Sequence, residues 1–154
     1  PTDPYPPLSR GKGRPGCHGC LGIVALLLVL AILGVVAGYF WIGPGRFVSR
    51  GYTVVNLGTS DSTVETAPDK PTVFLASGTL LYRVPVTKVP VALFAREIEI
   101  EGDFHDTTSV NAVKVTATSR ARFAKDLEIH AAEFTDQGLT LRGNLTGRTL
   151  QRNP

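Results

Sequence analysis

Cysteine is nearly missing from this sequence: Cys17 and Cys20 are its two thiols, and none follows them. Thiol catalysis is thereby excluded for everything beyond residue 20. No GxSxG stands among the serines, so acyl transfer from a nucleophile elbow has no support. Cys17-His18-Gly19-Cys20 has no second CxxC to complete a structural zinc site, and its histidine precedes the second cysteine, whereas haem c attachment needs it after. The two thiols read as reduced side chains at a membrane surface, with lipidation or an intersubunit metal as the remaining uses. No catalytic residue, cofactor or metal is expected.

Excess charge of one sign is lacking too. Arg10, Lys12 and Arg14 stand against Asp3 in residues 1–20, which leaves 13 of the 16 basic and 12 of the 13 acidic residues for the rest. The region after the apolar run is therefore nearly neutral, and it carries no basic stripe interleaved with aromatics. Nucleic acid is excluded as a partner on that ground. With 154 residues, less a tail and an apolar helix, there is room for one compact domain.

Charge is absent altogether from Leu21 to Ile42, a run of 22 residues of which 14 are Leu, Ile, Val or Phe. At ~1.5 Å per residue such a helix spans ~33 Å, against ~30 Å of bilayer hydrocarbon. The run is too long for the apolar region of a signal peptide and ends in bulky aromatics rather than a small-x-small site, so cleavage is not expected. The start at Pro1 fits removal of an initiator methionine, an uncleaved beginning. Tyr39, Phe40 and Trp41 stand where rings favour the headgroup level, and Gly43-Pro44-Gly45 stops the helix. Gly34 and Gly38 form a GxxxG with Ala31 on the same side, a face on which another helix can pack. No histidine or acid lies in the span, which removes proton relays and pigment ligands. Three basic residues before it (Arg10, Lys12, Arg14) against two after (Arg46, Arg50) place the tail in the cytoplasm and the domain outside, in the periplasm of a cell with two membranes. The tail, with five prolines and four glycines before Cys20, reads as a linker or docking strand without regular structure.

Beyond the helix the texture becomes short apolar runs, Val73–Leu75, Leu80–Val84, Val91–Phe94, Ile98–Ile100, Val113–Ala117, Leu127–Ile129 and Leu139–Leu145, divided by Gly, Pro, Asp, Thr and Ser. These are strands; Pro71, Pro85 and Pro90 interrupt any helix. Phe94-Ala95-Arg96-Glu97-Ile98-Glu99-Ile100 recurs conservatively as Phe123-Ala124-Lys125-Asp126-Leu127-Glu128-Ile129. A theme of two alternating aliphatics and a small residue begins at Ile98, Val113, Leu127 and Leu139, steps of 15, 14 and 12 residues that predict the length of one coil. Units this short bury their apolar side only by stacking, with Glu97, Glu99 and Arg142 outward. The expected architecture is mainly β: an N-terminal transmembrane helix, then a small β-solenoid or, alternatively, a β-sandwich. Its parts are a tail (1–20), the helix (21–43), a linker and capping segment (44–70), the β domain (71–147) and a C-terminal tail (148–154).

Ile98-Glu99-Ile100-Glu101-Gly102-Asp103-Phe104 and Leu139-Thr140-Leu141-Arg142-Gly143-Asn144-Leu145-Thr146-Gly147 resemble the rungs of bactofilins, polymer-forming bacterial cytoskeletal proteins, over about residues 91–147. The resemblance implies a β-solenoid and a capacity to polymerise through end rungs. Ala117 and Ala131 stand where that pattern has glycine. His105 and His130 invite a shared metal site across two rungs, against a plain reading as turn and surface residues, and Asn144-Leu145-Thr146 matches a glycosylation acceptor. Three functions follow as expectations. The first is a structural or accessory subunit of a membrane complex, respiratory or photosynthetic, with other membrane subunits and the lipid bilayer as partners. The second is a membrane-tethered polymer former, and the third a periplasmic enzyme or metal-binding module.

Overall fold

The computed structural model describes residues 18–41 and 43–153, with side chains described for 22–38 and 43–153. Two compact units result, Pro1–Ala37 and Gly38–Pro154. Cys17, the side chain of Cys20 and the rings of Tyr39, Phe40 and Trp41 lie outside the described residues.

Helix α1 runs His18–Trp41, 24 residues in which leucine is the commonest and proline is absent. It begins before the expected boundary at residue 21, so His18, Gly19 and Cys20 are helical rather than part of an irregular tail. Ile23, Val24, Leu26, Leu27, Leu30 and Val35 are all exposed. Its described side chains run from Gly22 to Gly38, ~25 Å at ~1.5 Å per residue. Among the described residues no helix is long and apolar enough to cross a membrane. Gly43-Pro44-Gly45 then leads into a single-turn helix, α2 (Gly45–Val48).

Ten strands follow: β1 (Thr53–Asn56), β2 (Ser62–Val64), β3 (Thr72–Leu75), β4 (Thr79–Thr87), β5 (Val91–Phe94), β6 (Glu97–Phe104), β7 (Thr108–Phe123), β8 (Leu127–Asp136), β9 (Thr140–Leu141) and β10 (Leu145–Asn153). Every pairing between them is parallel. One column of paired residues reads Thr53, Thr72, Val91, Thr108, Leu127, Leu145, in steps of 19, 19, 17, 19 and 18. The chain therefore winds as a β-solenoid of about six coils, the fold that the bactofilin resemblance implies and not the sandwich. Strands extend to Thr53 on one side and Asn153 on the other, wider than 71–147, because short polar segments such as Ser62–Val64 become strands once a stacked neighbour supplies their hydrogen bonds.

Coils two to five each have three stranded sides, and the first and last have two. Side one stacks β1, β3, β5 and the first residues of β7, β8 and β10. Side two stacks β2, the first parts of β4 and β6, the middle of β7 and the ends of β8 and β10. Side three stacks the ends of β4, β6 and β7 with β9. The period is thus 17 to 19 residues, and the expected 12 to 15 is corrected. The reason lies in the corners. Phe94 closes side one and Ile98 opens side two, whereas Phe123 closes side three and Leu127 opens side one. The repeated heptad is a corner motif used at two different corners of one coil, not the coil itself.

Inward columns make the core. Leu80, Ile98, Val115 and Phe134 stack in one; Phe104 lies parallel to Phe123 at 4.7 Å between ring centres, and Tyr82 joins them at 5.4 Å. That spacing is the ~4.8 Å rung repeat itself, so each ring packs on the one below. The Tyr82 hydroxyl is satisfied within the core by Thr87 Oγ1 at 3.0 Å.

Candidate functional surface

The three sides differ outside as much as they agree inside. On side one, the outward residues Val73, Ala92, Leu75 and Phe94 are apolar, and α2 covers them. Phe47 is 4% exposed there and meets Tyr52 and Phe94 edge-on at 5.2 and 5.9 Å. Burial of one aromatic ring on that patch contributes on the order of 2 kcal/mol. Further along the same side the outward residues turn polar, as Ser109 and Glu128, and Arg46 reaches them. Arg46 Nη2 donates to Glu128 Oε2 at 2.8 Å and to Ser109 Oγ at 3.2 Å. Its guanidinium lies 4.5 Å from the centre of the Phe47 ring, and its Nε is buried with no partner among the described residues. Phe47 and Arg46 together strap residues 45–48 to the solenoid.

Glu128 is the hub of this cluster. Besides Arg46 it accepts from Ser109 Oγ at 3.1 Å and is bonded to His130 Nε2 at 2.9 Å; Asn111 Nδ2 donates to Ser109 Oγ at 3.4 Å. Burial pushes its carboxyl up, but the His130 and Arg46 hydrogen bonds, the Arg46 charge and Ser109 together hold it below the ordinary carboxylate range. Serine, carboxylate and histidine are all present, in an order unlike that of a nucleophilic triad. The carboxylate sits between hydroxyl and imidazole, so the imidazole does not touch the hydroxyl it would have to deprotonate. The cluster is built to hold Arg46. A recess of about 240 Å³ lies beside the strap, bounded by Tyr52, Thr107, Asp126 and Thr146.

Side two carries Glu97, Glu99 and Glu101 outward between buried Ile98 and Ile100, as the alternation predicts. Cations of neighbouring coils answer them: Arg83 meets Glu99 at 3.3 Å and Glu101 at 3.8 Å, and Arg120 meets Glu101 at 3.5 Å. Such exposed pairs contribute little each, but like charges one rung apart would repel, and the alternation avoids it. Side three holds a recess of about 270 Å³ bounded by Asp103, His105, Arg122, Ala124, Thr140 and Arg142 over the Phe104 and Phe123 backbone.

His105 lies at that recess and His130 on side one beside Glu128, so the metal site shared between them is ruled out by placement. Among the described residues no three metal-binding side chains come together. Asn144 stands in a corner, its backbone N–H and its Nδ2 both donating to Asp126 Oδ1 at 2.8 and 3.1 Å. Of the expected packing residues, Ala31 is exposed, and a Cβ added at Gly34 or Gly38 meets nothing within 4 Å. The strap carries no sequence signal: four residues are too few for periodicity, and Arg46 and Glu128 are 82 positions apart. No family profile, curated protein or solved structure matches the chain.

Proposed function

We propose that this chain is a non-enzymatic, single-pass membrane protein whose solenoid serves as a structural or accessory subunit of a larger membrane complex. The observation that carries the reading is the all-round apolar surface of α1: Ile23, Leu27, Leu30 and Val35 are exposed together, and no charge falls between Leu21 and Ile42. A helix apolar on every side needs lipid or other helices around it. The span then runs from Leu21 to Ile42, with Tyr39, Phe40 and Trp41 at the headgroup level. Flanking charge puts the tail in the cytoplasm and the solenoid in the periplasm or its equivalent. Ala31, Gly34 and Gly38 form the packing face toward a neighbouring subunit, in a respiratory or photosynthetic assembly or one of similar kind.

Gentle solubilisation of native membranes tests this directly. The chain is expected to resist alkaline extraction and to migrate on a native gel in a band well above its 16.5 kDa. Gly34→Leu with Gly38→Leu leaves the chain in the membrane but shifts it out of that band, since leucine adds bulk to a close helix contact. A chain released by alkaline wash, or a double variant that co-migrates unchanged, defeats the reading.

The second reading, a tethered polymer of bactofilin type, is favoured by the in-register stacking of about six coils. One feature weighs against it. The inward column Leu80, Ile98, Val115, Phe134 ends in Arg152, whose guanidinium lies 5.8 Å from the centre of the Phe134 ring and 3.2 Å from Asp136 Oδ2. Stacking another molecule there would bury that charge. Regular filaments of the purified full chain under the electron microscope would promote the second reading over the first.

A further inference from the structure

The strands of the solenoid are held by their neighbours' backbone, but the segment that leads into them is not. Among the described residues, every backbone hydrogen bond of Gly43 to Tyr52 goes to another residue of that segment or to Gly38. Val48 N–H donates to the Pro44 carbonyl at 3.2 Å, and Arg50 and Tyr52 N–H donate to the Phe47 carbonyl at 2.9 and 3.1 Å. The first ladder bond comes only at Thr53, whose N–H donates to the Pro71 carbonyl at 2.8 Å. Residues 43–52 are therefore a self-bonded knot that lies on side one through side chains alone. Phe47 is its apolar contact, with Tyr52 beside it, and Arg46 is its polar one. Lifting the knot breaks no backbone bond of the solenoid.

Two further features favour release. The buried Arg46 Nε has no partner, a cost that water removes once the guanidinium leaves the surface. And a single carboxylate holds that guanidinium. Around Glu128 stand Arg46 of the knot, His130 of the same strand and, on β10, Arg148 in register with His130; Arg50, Asp106, Lys125 and Asp126 lie nearby. Neither other acid replaces Glu128, because Asp106 is held by Lys125 at 3.0 Å and Asp126 accepts from Asn144. Neutralising Glu128 leaves Arg46 with the Ser109 hydroxyl alone, while His130 and Arg148 remain beside it as bases.

We propose that residues 43–52 are a latch that lifts from side one as one piece when Glu128 loses its charge, and so lengthens the tether between α1 and the solenoid. Fully extended, the ten residues of 43–52 reach ~35 Å. The proposal rests on the reading of α1 as an anchor and adds to it a control over how far from the bilayer the solenoid can travel. Closed, the knot takes up that length; open, the solenoid keeps its coils and gains the slack. Glu128 is a positioning residue here, acting through Arg46.

Trypsin at neutral pH reads the latch in the full-length, detergent-purified chain, because cleavage after Arg50 follows the population in which the knot is open. Glu128→Gln and Phe47→Ala are each expected to speed that cut about tenfold or more, while cuts after Arg122 and Arg142 in the stacked coils keep the parent rate. Glu97→Gln, which removes an equal charge from side two, should leave the Arg50 rate unchanged. Spin labels at Val48 and Thr63, with both native cysteines replaced, read the movement itself. Their separation should be narrow in the parent and broad and longer in Glu128→Gln with Phe47→Ala, whereas a pair at Thr63 and Ser119 keeps its distribution. An Arg50 rate unmoved by Glu128→Gln, equal acceleration by Glu97→Gln, or an unchanged Val48 to Thr63 separation in the double variant overturns the proposal. So does acceleration shared by Arg122 and Arg142, which is unfolding of the coils rather than release of the latch. Release of the chain from membranes by alkaline wash, with the gating at Arg50 intact, would defeat the anchor reading and support the latch.

Discussion

A methyl group added at Gly102 would lie 1.9 Å from the Val84 carbonyl oxygen of the coil above, and the residue's φ of 111° is one that other L-residues rarely adopt. Backbone of the next coil cannot retreat without breaking its own ladder, so Gly102→Ala is expected to cost about 3 kcal/mol or more. Gly51 separates the two causes, because its φ is 85° but an added Cβ meets nothing within 4 Å; Gly51→Ala should cost only about 1 kcal/mol. Chemical unfolding of the two variants, followed by circular dichroism, makes the comparison. A second residue-scale outcome concerns Tyr82. Burial pushes its phenol up to about 12, partly opposed by the bond to Thr87. The folded phenol thus keeps its proton where the unfolded one, near ~10, loses it, and its stabilising contribution is full below ~10 and disappears as pH rises toward 12. Tyrosine absorbance should show one phenol titrating last, together with unfolding, and Tyr82→Phe should remove that late step.

At the scale of elements, the strap of residues 45–48 is the part most easily undone, because it is held by one ring and one guanidinium. Phe47→Ala is expected to cost about 2 to 3 kcal/mol and to raise hydrogen exchange locally over residues 45–52, with the stacked strands unchanged. Glu128 gives the strap a pH dependence whose sign is fixed. Its folded carboxyl titrates below the ordinary value, so its contribution is fully present above that value and is lost as pH falls through the depressed one. Exchange in the strap should therefore increase on acidification below about pH 4, and Glu128→Gln should flatten that dependence. A strap equally protected in the parent at pH 3 and pH 7 would remove Glu128 from this role.

For the whole molecule, the proposal that α1 anchors the chain makes one quantity testable, the side of a membrane on which the solenoid would stand. Three cations before the apolar run and two after it favour a cytoplasmic tail. With both native cysteines replaced, a single cysteine at Thr59 in intact cells, or in spheroplasts if there is an outer membrane, should react with a membrane-impermeant thiol reagent. One at Ser9 should react only after lysis. Labelling at Ser9 alone reverses the orientation.

Some of this protein was legible in its residues one at a time. The uncharged run ending in Tyr39-Phe40-Trp41, the strand character after it, and the outward Glu97, Glu99 and Glu101 all depend on local pattern, and local pattern is what a sequence displays. The solenoid itself was legible in kind, through alternating aliphatics and the repeated corner heptad. Its period was not, because the same corner chemistry serves different corners, and only the pairing of Thr72 with Val91 and Thr108 counts a full coil. The strap and the Glu128 hub were hidden for one common reason. Each joins residues distant in the chain, Arg46 with Ser109 and Glu128, through the stacking of coils, which no local pattern displays.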